Sequence, residues 1–215
     1  MAIKSISDLY NLSLFIFDLD NTIYKEEDYL FQAYKAIAEE CAGSLPSRTR
    51  KALYTILKDL YLQQGCEKLF DKFLDVVGLN KSYLPVCLKI LRSFKPGKPL
   101  EIDKKVKKIL ISLNSRSKRI FILTNGNVDQ QRNKIRHIKW DGLDNKIVFV
   151  FADEIEPKPS PAGIIYILKS TGTAKDNAIM IGDSEIDLKC ASNGGIKFIN
   201  ISDLILKHDK SDEPE

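Results

Sequence analysis

The sequence predicts an α/β fold: a doubly wound, Rossmann-like parallel sheet with helices on both faces and an inserted all-helical segment. Three observations lead there. Five short apolar runs show little polar alternation, the pattern of strands covered on both faces. Helix-periodic segments lie between runs, as in βαβ units. About 95 residues separate the first run from the second. A βαβ unit needs only about 30, so that interval must hold something more.

The runs are "LFIFDL" (14–19), "RIFILT" (119–124), "IVFVF" (147–151), "AIMIG" (178–182) and "IKFINI" (196–201). In "DKKVKKILISLNSR", Val106, Ile109, Leu110 and Leu113 fall on one helical face. "SPAGIIYILKSTG" offers Ser160 as N-cap, Pro161 at the first helical position and Gly172 as the stop. "SEIDLKCASNGG" reads as a shorter helix ending at Gly194 and Gly195.

The long interval contains no strand-like run. Leu30, Tyr34, Ile37 and Cys41 repeat at helical spacing, as do Leu53, Ile56, Leu57 and Leu60. Phe70, Phe73, Leu74 and Val77 follow, then Leu84, Leu88 and Leu91. This predicts about four helices whose apolar faces are core. The expected organisation is a catalytic α/β core at 1–24 and 97–215, with a helical cap at 25–96 inserted after the first strand. "NTIYKEE" leads out of the core and "FKPGKP" leads back; Pro96, Gly97 and Pro99 suit the return segment to a hinge. The expectation is a moving cap that closes over the open strand ends of the core and excludes bulk water.

Composition narrows the class. The chain has 215 residues, 44% hydrophobic and 29% charged, with a formal net charge of +4. That is ordinary globular composition, and the charge is too small to indicate nucleic acid. It suits a small anionic substrate. No apolar stretch approaches the ~18 residues of a membrane span. "MAIKSISDLYNLS" lacks the continuous apolar segment of a signal peptide. Cys41, Cys66, Cys87 and Cys190 are scattered, with no C-x-x-C pair. They read as reduced thiols of a cytoplasmic protein. Two histidines, His137 and His208, leave little room for a Ser–His–Asp triad or a histidine metal site. The tail "KHDKSDEPE" is expected to fray. Oligomeric state is not legible.

In an open parallel sheet, ligands bind at the carboxyl ends of the strands. The first run ends in Asp18 and Asp20, and the second in Thr124, Asn125 and Gly126. The third runs into "ADEIEPKPSP", which contains Lys158; the fourth ends in "GDSEID", with Asp183 and Asp187. Carboxylates gathered in one cleft repel one another and demand a cation. Mg²⁺, with carboxylate, water and phosphate oxygens, is the natural one. Strand alternation points Asp18 and Asp20 the same way. A carboxylate attacking phosphorus forms an aspartyl-phosphate. A second one nearby protonates the leaving oxygen and then activates water. Thr124 and the backbone N–H groups after it suit phosphoryl oxygens, and Lys158 supplies a point positive charge.

Taken singly, each element has a plainer reading. D-x-D is a common surface pair, Asn-Gly a turn signal, and Lys158 between prolines a solvated loop lysine. "GDS" before a helix is often an N-cap serving only backbone donors. What carries the functional reading is their conjunction at successive strand ends.

In that conjunction the chain resembles the haloacid dehalogenase-like hydrolase superfamily. "FDLDNT" resembles its first motif, "LTNG" the second, "KPSP" the third and "GDSEID" the fourth. The resemblance covers about 13–24 and 97–202, and the insertion is placed like the small cap of the first subclass. It implies Asp18 as nucleophile, Asp20 as acid/base, and Thr124 with Asn125, Gly126 and Lys158 on the phosphoryl group. It also implies Mg²⁺ held by Asp18, Asp20, Asp183 and Asp187. The expected activity is a Mg²⁺-dependent phosphatase acting on a small phosphorylated metabolite, a sugar phosphate or nucleoside monophosphate. The presence of Asp20 argues against a dehalogenase, which has no leaving oxygen to protonate. A phosphomutase stays open, as does a phosphonatase using a cap lysine such as Lys51 or Lys58. A non-enzymatic phospho-acceptor module also gathers acids, a threonine and a lysine, but has no cap of about 70 residues and sets its acceptor aspartate apart from its acidic pair. Tyr24, Tyr29, Tyr34 and Arg48 are candidate substrate contacts by position alone.

Overall fold

The computed structural model describes residues 6–45 and 47–209. In chain order its helices and strands are α1 (Ile6–Tyr10), β1 (Leu14–Phe17), α2 (Glu26–Ala42), α3 (Arg50–Gln64), α4 (Leu69–Val77), α5 (Leu84–Ser93) and β2 (Leu100–Glu101). Then come α6 (Lys104–Ser115), β3 (Arg119–Thr124), α7 (Val128–His137), β4 (Ile138–Lys139), β5 (Ile147–Phe151), α8 (Ala162–Thr171), β6 (Ala178–Gly182), α9 (Glu185–Gly194), β7 (Lys197–Asn200) and α10 (Ile201–Asp209). The tail expected to fray lies outside the described residues from position 210 on, as do the first five residues of the segment judged not to be a signal peptide.

The chain divides into two compact units. One is built from the chain up to Lys25, Glu101–Gln131 and the chain from Ile138 on; the other from Glu26–Leu100 and Arg132–His137. Helix α7 therefore starts in the first and ends in the second.

In the first unit the five apolar runs form one parallel sheet in the order β5-β3-β1-β6-β7. Every residue of β1 is buried, as burial on both faces requires. Leu14, Ile16, Leu123, Val150 and Met180 pack with Ile164, Ile167 and Leu168 of α8 and with Cys190 and Ala191 of α9. Val106, Ile109, Leu110 and Leu113 of α6 are all buried, and α6 packs on β3. Asp103 caps α6 by accepting from the N–H groups of Lys105 and Val106. The N-terminus of α8 falls one residue later than its sequence signals suggest, at Ala162, whose N–H donates to Ser160 Oγ at 3.3 Å. Gly172 closes α8 in the left-handed conformation.

Two strands are shorter than their apolar runs. β1 stops at Phe17 because the chain turns, with Asn21 at φ 57° and the Ile23 N–H bonded to the Leu19 carbonyl at 2.9 Å. Asparagine tolerates that left-handed φ better than most residues. β7 stops at Asn200, whose side chain accepts from the Ser202 N–H and so opens α10.

The second unit contains α2 to α5. Leu30, Tyr34, Ile37, Cys41, Leu53, Leu57, Phe70, Phe73, Leu74 and Val77 are buried as helical spacing predicts. α5 differs: Cys87 is its buried residue, while Leu84, Leu88 and Leu91 are half-covered around it. The later part of α7 joins this unit through polar side chains. Asn133 Nδ2 donates to the Phe94 carbonyl and the Tyr29 hydroxyl, and buried Lys134 pairs with Glu26 at 3.0 Å.

Candidate active site

β1 lies at the middle of the sheet, between β3 and β6. The chain builds β3 and β5 on one side of it and then crosses to build β6 and β7 on the other. That reversal leaves a crevice at the carboxyl ends of β1, β3 and β6. Asp18, Thr124 and Asp183 each sit at one of those ends. The Asp18 N–H continues the ladder, bonding the Ile181 carbonyl at 2.8 Å.

Lys158 arrives from the loop after β5 and reaches the same place. Its Nζ lies 2.5 Å from Asp18 Oδ1 and 2.7 Å from Asp187 Oδ1. All three side chains are buried. Burial pushes the Lys158 ammonium toward losing its proton, but the charges of Asp18 and Asp187 outweigh burial and hold it protonated. Burial pushes the Asp18 carboxyl up to about 7; Lys158 opposes the rise, while Asp187 and Asp20 add to it. Both partners of one ion pair thus hold protons more tightly than usual. The two shifts agree once the excess of acid is counted: one ammonium serves several carboxylates, so the lysine stays charged while Asp18 resists ionisation.

Asp18, Asp183 and Asp187 each offer a carboxylate oxygen within 4.8 Å of the others. Three carboxylates against the one ammonium leave a formal charge of −2. Such a set of oxygen donors fits a hard divalent cation. Burial, with the neighbouring charge of Asp187, raises the pKa of Asp183 too. The Asp187 carboxylate is already engaged on both sides. Its Oδ1 faces Lys158, and its Oδ2 accepts from the Ser184 hydroxyl at 2.6 Å and the Ser184 N–H at 3.3 Å, completing a capping box on α9. The plainer reading of "GDS" as a cap therefore holds for Ser184 and Asp187, while Asp183 joins the acidic group. Gly182 makes room for this: a Cβ there would lie 2.5 Å from Asp187 Oδ2.

Asp20 is placed differently from Asp18. It follows the end of β1, and its carboxylate is not part of the group of three. Its Oδ1 accepts from the Tyr24 hydroxyl at 2.7 Å and its Oδ2 from Gln131 Nε2 at 2.9 Å. The two acids of the D-x-D pair thus have different partners, and the Asp20 side chain stands outside the cluster of Asp18, Asp183 and Asp187.

Thr124 is buried, and its hydroxyl donates to the Asn125 carbonyl at 3.4 Å. Asn125 and Gly126, expected on a phosphoryl group, also tie the neighbouring loops together. The Asn125 amide donates to the Lys158 carbonyl and accepts from the Lys158 N–H, while the Gly126 N–H donates to Asp153 Oδ1 at 2.9 Å.

Residues 15–201 match the family of haloacid dehalogenase-like hydrolases. The chain belongs to that family. A relative from Caldanaerobacter subterraneus, provisionally assigned as the pyrophosphatase PpaX, is 20% identical over 210 residues, 93% of this chain and 87% of its own. Among solved structures, a provisional β-phosphoglucomutase of Thermotoga maritima superposes with a TM-score of 0.62 at 16% identity, covering 94% of this chain and all of that one. YfnB of Bacillus subtilis, a provisional hydrolase of the same family bound to magnesium, gives 0.60 at 19% identity, covering 87% of each chain. At these identities the structures report the shared fold.

In this hydrolase, the tyrosines singled out by position are interior groups. Tyr24 is bonded to Asp20, the Tyr29 hydroxyl donates to the Leu91 carbonyl at 2.5 Å, and Tyr34 packs among Phe31, Tyr61 and Phe70. Arg48 reaches the Val76 carbonyl at 3.5 Å. Sequence reasoning missed Gln131 and Gly182, whereas Ser184 was legible as an N-cap.

Proposed function

We propose that this chain is a Mg²⁺-dependent phosphatase that hydrolyses a small phosphomonoester, a sugar phosphate or nucleoside monophosphate, through an aspartyl-phosphate at Asp18. One observation carries the reading: the buried Asp18 carboxylate sits at the sheet's switch point against Lys158, with Asp183 and Asp187 gathered beside it. Asp18 and Asp183 are the residues to hold Mg²⁺, with Asp187 orienting Lys158 and bracing the group. Bound there, Mg²⁺ supplies positive charge that lets Asp18 ionise and eases the approach of an anionic substrate.

The remaining chemistry belongs to the chain. Asp18 attacks phosphorus and the bond to the leaving oxygen breaks. Lys158 and the Thr124 hydroxyl stabilise the phosphoryl oxygens as charge builds on them. Asp20 gives its proton to the leaving oxygen, then accepts one from the water that hydrolyses the aspartyl-phosphate. The relative assigned as a pyrophosphatase and the magnesium-bound family member support phosphoryl transfer and the metal. The fold shared with the mutase-like protein supports a second acceptor, a substrate hydroxyl in place of water.

The test is a phosphate-release screen over phosphorylated metabolites with Mg²⁺, with and without EDTA, using the wild type and Asp18→Asn. Release that EDTA abolishes, Mg²⁺ restores and Asp18→Asn lacks supports the proposal. Release that survives in the metal-free enzyme or in Asp18→Asn overturns it. Phosphate moved to a second hydroxyl without release favours the mutase.

A further inference from the structure

We propose that Gln131 is a positioning residue for Asp20, its amide and the Tyr24 hydroxyl together clamping the Asp20 carboxylate for proton transfer to the leaving oxygen. This rests on the reading of Asp20 as the acid and base of the reaction.

Both Asp20 oxygens receive a neutral donor, Tyr24 Oη on Oδ1 at 2.7 Å and Gln131 Nε2 on Oδ2 at 2.9 Å. Bonds to both oxygens fix the plane of the carboxylate as well as its position. Gln131 is only 4% exposed, and its Nε2 also donates to the Asn125 carbonyl at 2.6 Å. Both partners of that nitrogen are acceptors, so the amide has one workable orientation. The orientation leaves Gln131 Oε1 buried with no partner among the described residues. A buried acceptor without a donor is costly. An apolar side chain of similar volume would fill the space without that cost, so packing alone does not account for the amide.

Gly126 adds an independent observation. A Cβ at that position would lie 3.2 Å from Gln131 Nε2, so the glycine leaves the amide room to approach Asp20 and Asn125. Through the Asn125 carbonyl the same nitrogen ties Asp20 to the end of β3, next to Thr124. The donor to the acid and the hydroxyl for the phosphoryl group are thereby held in one register. α7 has no apolar stripe to explain its placement: Gln131 and Lys134 are its buried side chains.

The experiment separates positioning from packing through the leaving group. Nitrophenolate departs without a proton, whereas the alkoxide of benzyl alcohol needs one, and kcat/KM reports the step in which it leaves. Gln131→Met keeps the volume and removes the donor. With p-nitrophenyl phosphate and benzyl phosphate as probes, we expect Gln131→Met to lose about tenfold to hundredfold in kcat/KM on benzyl phosphate and less than about threefold on p-nitrophenyl phosphate. Asp20→Asn should show the same selectivity, more strongly. Equal losses on both substrates, or none on either, overturn the positioning role when Asp20→Asn retains its selective loss. A wild type inactive on both probes, or an Asp20→Asn without selectivity, removes the reading of Asp20 and this inference with it.

Discussion

The side-chain amide of Asn125 donates to the Lys158 carbonyl at 2.9 Å and accepts from the Lys158 N–H at 2.8 Å. This two-way bond fixes the backbone of the residue whose ammonium meets Asp18, so the aim of Lys158 depends on a side chain from the end of β3. Asn125→Ala should lower stability by about 1–3 kcal/mol for two lost hydrogen bonds. It should also lower kcat/KM by about tenfold to hundredfold as Lys158 loses its placement. Thermal melts and steady-state kinetics check both, and unchanged kcat/KM would show that the loop holds its own shape.

A second prediction concerns the space under Asp187. An added Cβ at Gly182 would lie 2.5 Å from Asp187 Oδ2 and 2.6 Å from its Cβ and Cγ, so the buried carboxylate must shift. Gly182→Ala should cost about 1–3 kcal/mol by overpacking, and should weaken activity by displacing a partner of Lys158. Gly97→Ala is the control: nothing lies within 4 Å of its built Cβ, and it should stay within about 0.5 kcal/mol of wild type. Denaturant titration of both variants measures the difference.

The raised pKa of Asp18 gives a stability prediction with a definite sign. The folded protein holds the Asp18 proton up to about pH 7, while an unfolded aspartate releases it near 4. Between those values the native state binds more protons, so the metal-free protein loses stability as pH rises through that window. The loss is on the order of 3 kcal/mol. Asp18→Asn has no such loss. Its melting temperature relative to wild type should therefore climb from pH 4.5 to pH 7.5 in EDTA. Mg²⁺ at the higher pH should raise the wild type more than the variant. A pH-independent gap between the two would contradict the raised pKa.

The sheet was legible because its strands are buried on both faces: runs such as "RIFILT" and "AIMIG" become β3 and β6 with the bounds their apolar residues suggest. The four helices of the insertion were legible from apolar spacing. α7 was not, because its buried positions are Gln131 and Lys134, and a polar buried face leaves no hydrophobic period. The acids, Thr124 and Lys158 stood out by residue type at strand ends, but partner choice did not. Nothing in the sequence around Lys158 signals that its ammonium sits between Asp18 and Asp187. Tyr29 and Tyr34, candidates for a substrate by position alone, are buried in the core. Period reports which side of an element faces the interior; it carries no information about which polar groups meet there.

The central claim is that Asp18 carries the phosphoryl group. The direct measurement is to quench the enzyme in acid during turnover with Mg²⁺ and a substrate from the release screen, and then map the phosphorylated peptide by mass spectrometry. The account predicts one phosphoryl group, on Asp18, formed in the wild type and absent from Asp18→Asn. A phosphoryl group on any other residue, or steady turnover by Asp18→Asn, would contradict it.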